Sequence, residues 1–360
     1  MSDTILVFPS SIEASISFIR DARRWNLRVI GSSSLTEDPY AKQYDAWENL
    51  PYIHEDDFLP KLKKLIKNYN ISSIYTPHAP TFLRLSELAE ELTGVRLVGE
   101  SPYSTQMNRV ALAHQTASHS YEEIVKLTNN SDSLSQNFLA ALLAQTTPLY
   151  GECLQEKMTA ICAVFCEAPV GDVVEIGTFF GKSAFLLNRL SGYFKIGTTV
   201  CVDPWNMGLS IQQESPSTIQ ALSSVWDWET VFQGFLLTMQ ASYVGDFNYI
   251  RAASVDAYSQ YKNNSLISSP EFGTTQITHR ISVLPLDGNH DEQAVSKDLE
   301  LWGSHVMPGG WIIFDDYNWS QGDGPRKVAD KMLNKNADLI ENFFVMGGAA
   351  FVKVKDKIRV

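Results

Sequence analysis

Short apolar runs alternate with helix-period segments along most of this 360-residue chain, and that alternation constrains the fold more than any single residue does. A strand buried on both faces of a parallel sheet reads as a continuous apolar run, and parallel neighbours need a helical crossover between them. In the first hundred residues TILVFP (4–9), RVIGSS (28–33) and SSIYTPH (72–78) read as strands. SIEASISFIRDARRW (11–25), DDFLPKLKKLIKNYN (56–70) and PTFLRLSELAEEL (80–92) carry apolar residues at helical spacing. The second of these begins acidic and turns basic, as the helix macrodipole favours; the third opens on Pro80 and closes before Gly94. This βαβαβα order predicts a small parallel sheet covered by helices.

Residues 101–150 carry no strand signal, are rich in Ser, Thr, Gln and Asn, and include the polar cluster TNNSDSLSQN at 128–137. They read as a helical linker between two domains, and GECLQEKMTAICAVFCEA (151–168) as a helix leading into the second. Strand-like runs then resume: VVEI (173–176), TVCVD (199–203), NYIRAA (248–253), ISVLPLD (281–287), WIIFDDY (311–317), ENFFVMG (341–347) and AFVKVK (350–355). Only a Gly-Gly-Ala turn separates the last two, so they pair as an antiparallel hairpin at the end of an otherwise parallel sheet. The expectation is an α/β chain with domains over 1–100 and 151–360 joined by the linker at 101–150. The second domain would hold a seven-stranded, mostly parallel sheet.

A formal net charge of −12 excludes the concentrated basic face that a nucleic acid or an anionic membrane surface requires. No run of about 18 apolar residues exists to cross a bilayer. The start, MSDTILVFPSS, has an acidic residue where a signal peptide is basic, so a cytoplasmic protein is the expectation. Cys153, Cys162, Cys166 and Cys201 form no CxxC pair, and no histidine is spaced to complete a zinc site with them, so they read as reduced core thiols.

The stretch VVEIGTFFGKSAFLL (173–187) contains the Gly-Lys-Ser that ends a phosphate-binding loop. Such a loop needs four residues between its first glycine and the Gly-Lys. Here Gly177 and Gly181 enclose only Thr178, Phe179 and Phe180, and Ile176 stands where the first glycine belongs. The dinucleotide fingerprint GxGxxG is not matched either. What remains is a strand, a carboxylate at Glu175, two glycines that let the backbone turn sharply, and a helix N-terminus. A second acid, Asp203, ends the next strand, where a ribose diol would lie at the carboxyl edge of an open sheet. A plain tight turn would explain the glycines but neither acid. The pattern resembles the S-adenosylmethionine site of class I methyltransferases, whose sheet has six parallel strands and one antiparallel strand beside the edge. The resemblance covers residues from about 150 to 357. It implies cofactor contacts from Glu175, Gly177, Thr178, Gly181, Ser183 and Asp203.

LDGNHD (286–291) closes the fourth strand of this half and IIFDDY (312–317) the fifth. Neighbouring strand ends in a parallel sheet would bring Asp287, Asp315 and Asp316 together, and carboxylates so placed need a cation, for which hard oxygen donors select Mg²⁺, Ca²⁺ or Mn²⁺. These segments, with AVSKDLELW, MPGGWIIFDDY and GPRKVADKML, are similar to metal-dependent O-methyltransferases of natural-product tailoring. That group includes the macrocin and mycinamicin sugar methyltransferases and the cephalosporin-hydroxylase-like proteins. The resemblance implies Mg²⁺, with Mn²⁺ as the alternative, on Asp287, Asp315 and Asp316, with Asp287 also near the cofactor. It implies His290 as catalytic base, where the more distant catechol enzymes have lysine.

Other residues carry two readings. Ser254 and Asp256 follow the third strand and would either contact adenine or cap a helix. Tyr317 and Trp319 would line the acceptor pocket. Phe179 and Phe180 would pack on the cofactor or in the core. Asp298 and Glu300 read as a solvated helix face, and HEDD (54–57) as acids favoured at a helix start. His78 and Arg84, near the third strand's end, are candidates for substrate contact, with a structural role as the favoured reading. Residues 1–99 resemble the Rossmann-like domain that precedes ATP-grasp domains, without an ATP-grasp segment after it. By analogy with the macrolide enzymes this implies a scaffold or acceptor-recognition role and a homo-oligomer, dimer or tetramer. The expected activity is Mg²⁺-dependent methyl transfer from S-adenosylmethionine to a hydroxyl of a sugar or another small natural product. A non-catalytic cofactor-fold scaffold and a metal-dependent hydroxylase are the rivals.

Overall fold

A computed structural model of the protein describes residues 3–128 and 134–359. Five residues of the polar cluster at 128–137, namely 129–133, lie outside them. The chain divides into two compact units, Met1–Leu112 and Ala113–Val360.

In the first unit five parallel strands, β1 (Thr4–Val7), β2 (Arg28–Ser33), β3 (Ala46–Asn49), β4 (Ser73–Tyr75) and β5 (Arg96–Val98), lie in the order β3-β2-β1-β4-β5. Helices α1 (Glu13–Arg24), α2 (Phe58–Tyr69) and α3 (Ala79–Glu87) fall where the apolar periodicity places them. Alternate residues of β1 serve opposite faces of the sheet: Leu6 packs with Phe58 and Leu62 of α2, while Ile5 and Val7 pack with Ile19 of α1. The sequence shows three of the five strands. The other two, AWEN and RLV, are half-exposed and too short to form an apolar run.

The second unit begins within α4 (Pro102–Thr128) and continues through α5 (Gln136–Thr146) and α6 (Gln155–Glu167). The linker segment is helical in α4 and α5, and these helices also pack: Ala117, Ile124, Leu139, Leu142 and Leu143 join one core layer with Met158 to Phe165 of α6. The strands that follow are β6 (Asp172–Ile176), β7 (Thr199–Val202), β8 (Phe247–Ile250), β9 (Leu266–Ser269), β10 (Gly273–Gln276), β11 (Ile281–Leu286), β12 (Val306–Phe314), β13 (Ile340–Met346) and β14 (Ala349–Val354). Seven of them form one sheet in the order β13-β14-β12-β11-β6-β7-β8, with only β14 antiparallel to the rest. This is the sheet expected from the sequence. Val173, Val283 and Ile313 face one apolar layer, and their neighbours Val174, Leu284 and Ile312 the other. The crossover helices are α7 (Lys182–Phe194), α8 (Met207–Ser210), α9 (Ser217–Val225), α10 (Trp228–Met239), α11 (Ser254–Asn263), α12 (Glu292–Trp302) and α13 (Gly324–Lys335). The small hairpin β9–β10 was not foreseen; its residues LISS and GTTQ are mostly exposed and carry no core pattern. No helix among the described residues is long and apolar enough to cross a membrane.

Candidate functional site

After β6 the chain turns through Gly177 and Gly181, both at φ +87°, into α7. Gly177 has a second reason to be glycine, because a Cβ there would lie 2.0 Å from the carbonyl oxygen of Asp287. The close approach that glycine permits is thus to the backbone after β11. Phe179, between the glycines, is itself left-handed at φ +52°. Asp203 holds this turn from the end of β7. Its Oδ2 accepts the backbone N–H groups of Thr178 and Phe179 at 2.9 and 3.0 Å, and its Oδ1 that of Trp205 at 2.7 Å. Lys182, the lysine of the Gly-Lys-Ser, donates to the carbonyl of Gly151 at 3.2 Å, so its ammonium serves the fold and not a phosphate.

Glu175 is fully buried, and neither of its carboxylate oxygens has a hydrogen-bond partner. Burial pushes its pKa up to about 8, tempered by the nearby Ser183 and Thr178 hydroxyls. Thr178 Oγ1 is buried without a partner as well. Buried polar groups are rarely left unpaired, so these atoms fit a ligand carrying a cationic, hydrogen-bonding portion.

The second half of the site lies where β11 and β12 end. Hydrogen bonds from Asp287 N–H to Ile176 and from Asp315 N–H to Leu286 align the two acids past adjoining strands. Asp316 follows at φ +50°, off the regular strand, so the paired acids curl into one place. His290 Nε2 is 3.7 Å from Asp287 Oδ1 and its Nδ1 is 3.5 Å from Asp316 Oδ2. Gln212 lies 3.2 Å from Nδ1, and Trp319 sets its ring edge-on to the imidazole. Burial favours neutral His290, yet the surrounding carboxylates outweigh it and raise its pKa above the usual histidine value.

A residue that the sequence reading missed sits among these acids. Lys157 of α6 is 5% exposed, and its Nζ lies 2.5 Å from Asp315 Oδ2 and 3.4 Å from Asp287 Oδ2. Burial opposes its charge, but the two carboxylates hold it protonated, with a pKa well above that of an ordinary lysine. Burial penalises an ionised Asp287 too, but Lys157 and His290 overcome it and lower its pKa. Burial and the Asp287 charge push Asp315 up to about 7. Among the described residues no group of three or more His, Cys, Asp and Glu side chains is arranged to hold a metal ion. With an ammonium already on two of the three aspartates, this donor set does not fit a divalent cation as it stands.

Both halves border one cavity of about 870 Å³ at the carboxyl edge of the sheet, where open α/β sheets bind ligands. Gly177, Thr178, Ser183, Asp203 and Ser254 line it on one side, and Asp287, His290, Asp315, Asp316 and Trp319 on the other. Glu175 and Gly181 lie behind this wall and do not line it. Asp256 is exposed in the first turn of α11, outside the cavity, where an acid suits the helix dipole. Tyr317 also lies outside it: its hydroxyl donates to Asp330 at 2.7 Å and Arg326 lies over its ring.

Asp298 is a correction to the sequence reading. It is buried, lines the cavity and has its pKa pushed up to about 6 by burial, with Ser254 lowering it in part. The signal was present, since Val295, Asp298, Leu299 and Trp302 share the buried stripe of α12. Glu300 is exposed, beside Lys297, as expected. Asp291 was also passed over. Its carboxylate accepts the backbone N–H groups of Gln213 and Glu214 at 2.7 and 2.8 Å, and Asn289 donates to the Ile211 carbonyl, tying the long connection between β7 and β8 to the His290 loop.

Residues 174–317 match the model of a family described as a methyltransferase domain. One curated relative, an uncharacterised protein R132 of Acanthamoeba polyphaga mimivirus, is 27% identical over 150 residues, 41% of this chain and 53% of that protein. The chain therefore spans about half the length of the curated relative it matches. Similar solved structures include the O-methyltransferase NovP, at 15% identity with a TM-score of 0.40, covering 55% of this chain and 79% of that one. The calicheamicin methyltransferase CalS11 is 14% identical with a TM-score of 0.36, covering 71% and 94%. MycE, from the mycinamycin biosynthetic pathway and in complex with Mg and SAH, is 13% identical with a TM-score of 0.37, covering 60% and 54%.

Proposed function

We propose that residues 174–317, which match the model of a methyltransferase domain, transfer a methyl group from S-adenosylmethionine to a hydroxyl of a small molecule, with His290 taking the proton. The observation that carries this reading is His290 held between Asp287 and Asp316 on one wall of a cavity whose other wall is the glycine turn. When bound, S-adenosylmethionine supplies a methyl group on a sulfonium sulfur that departs as a neutral thioether.

The chain's own residues supply alignment and proton transfer. Glu175, buried without a partner just behind the cavity wall beside Thr178 and Ser183, is the acid assigned here to the donor's amino group, whose positive charge would favour its ionised form. Asp203 fixes the turn and keeps lone pairs for a ribose diol. An acceptor hydroxyl loses its proton as its oxygen bonds to the methyl carbon, so a base must lie within reach. His290 Nε2 has no hydrogen-bond partner and is the nitrogen assigned here to accept the proton; Nδ1 would then carry its hydrogen toward Asp316, with the Gln212 amide turned to present its oxygen. Most of the rate gain in such a displacement comes from holding the reacting atoms in line.

A second reading puts Mg²⁺ or Mn²⁺ on Asp287, Asp315 and Asp316, and the convergence of three carboxylates favours it. It requires the Lys157 ammonium to leave. The same proposal makes the protein a cytoplasmic homo-oligomer, dimer or tetramer, acting in natural-product biosynthesis on a sugar or similar acceptor with adjacent oxygens. A net charge of −12 supports a small-molecule acceptor over a nucleic acid or a membrane, and cysteines held as thiols suit a reducing compartment.

The test is a mass-spectrometric methyl-transfer assay over hydroxylated acceptors, comparing the wild type with His290→Ala. Loss of a single base should lower turnover about 10²- to 10⁴-fold with the fold intact by circular dichroism. Full turnover in the variant would remove His290 from the mechanism, and methylation of amines alone would overturn the choice of acceptor.

A further inference from the structure

We infer that the Lys157 ammonium is the resident counter-cation of the Asp287–Asp315–Asp316 cluster, so that the chain neutralises and orders these acids without a divalent ion. The inference deepens the methyl-transfer reading, resting on it only for the placing of the cluster beside the acceptor.

Three carboxylates drawn to one point repel one another unless a cation stands between them. Lys157 answers that need at 2.5 Å from Asp315 Oδ2 and 3.4 Å from Asp287 Oδ2, where it lines the same cavity wall. Mg²⁺ bonds oxygen at about 2.0–2.1 Å in near-octahedral geometry. It would take lone pairs on the two oxygens that the ammonium already contacts, and two cations cannot share them at such distances. The divalent ion and the lysine therefore compete for one position.

Lys157 also belongs to the frame around it. Every residue of α6 from Lys157 to Phe165 is buried, so this is no surface lysine that happens to bend inward. A Cβ on Gly347, in the turn between β13 and β14, would lie 2.3 Å from the Lys157 backbone nitrogen and 2.8 Å from its Cα. With φ +57° at Gly347, that turn presses directly on the helix where the lysine springs. The Cα is fixed by close packing on one side and the ammonium by two carboxylates on the other. An ammonium has three N–H donors, and two are engaged here, which leaves one for an acceptor oxygen in the cavity.

Electron paramagnetic resonance of Mn²⁺, titrated into chelator-treated full-length protein, tests this directly. Wild type should show no saturable Mn²⁺ site up to millimolar concentration, whereas Lys157→Gln should gain one at least about tenfold tighter. A saturable wild-type site that Asp315→Asn abolishes would overturn the inference, and so would a folded Lys157→Gln that gains none. Should Lys157→Gln not fold, the wild-type titration and its Asp315→Asn control still decide the matter. Calorimetry of S-adenosylhomocysteine on the same wild-type sample keeps the two proposals apart. Failure to bind it would sink the methyl-transfer reading and leave the Mn²⁺ result standing.

Discussion

The two acidic sites flanking Gly177 handle burial in opposite ways. Glu175, on one side, is sealed behind the cavity wall with no partner for either oxygen, and its proton is held up to about pH 8. Asp287, on the other, is answered by Lys157 and His290, and its pKa falls below the usual carboxylate value although burial alone would raise it. Burial by itself does not set the charge of an acid; the partner does. The Asp287 side is answered within the folded chain, by Lys157 and His290. The other is left incomplete, with a carboxylate that a cationic ligand would satisfy.

The glycine between them gives the largest effect with which to break this contrast. Gly177→Ala puts a methyl group 2.0 Å from the Asp287 carbonyl at a left-handed φ, so both halves would be disturbed together. Denaturant melts should show a loss of roughly 3–5 kcal/mol, from backbone strain and overpacking combined. A loss under about 1 kcal/mol would mean that the two halves are not coupled through this contact.

A smaller effect sharpens the Glu175 side. Its folded-state pKa is raised from 4.5 to about 8. Its contribution to stability is therefore fully present below the unfolded value and declines as pH rises toward the folded one, because the native state binds the extra proton in that window. Glu175→Gln removes the titration. Melts of the ligand-free protein should show the variant gaining roughly 1–4 kcal/mol on wild type between about pH 5 and pH 8. Parallel pH profiles for the two proteins would show that Glu175 is not held neutral by burial.

How far the sequence revealed this molecule depends on how local the determinant is. Six of the seven strands of the main sheet are legible because they are largely buried on both faces and read as apolar runs bounded by turn residues. The edge strand β13, whose burial alternates, is legible from the tight turn it shares with β14. The glycine turn with Glu175 and Asp203, and the pairing of Asp287 with Asp315 and Asp316, follow from strand ends and short spacing. Lys157 does not, because it stands 130 residues from Asp287 and 158 from Asp315, and nothing in its own helix marks which end of the sheet it reaches. Asp291 is hidden for the same reason, since its partners Gln213 and Glu214 come from the connection between β7 and β8, some 78 residues earlier. Asp298 differs: its place on the apolar stripe was readable, and a charged side chain there pointed to burial beside the site. Tyr317, next to the metal-like acids in sequence, is turned away by its bond to Asp330, a contact that adjacency could not reveal.

The measurement that bears most directly on this account is calorimetric titration of S-adenosylhomocysteine into wild type and Glu175→Gln at neutral pH. Saturable one-to-one binding to wild type, weakened about tenfold in the variant, is the expected result; a tenfold loss corresponds to about 1.4 kcal/mol. Absence of binding to the folded wild type, or equal affinity in both proteins, would contradict it.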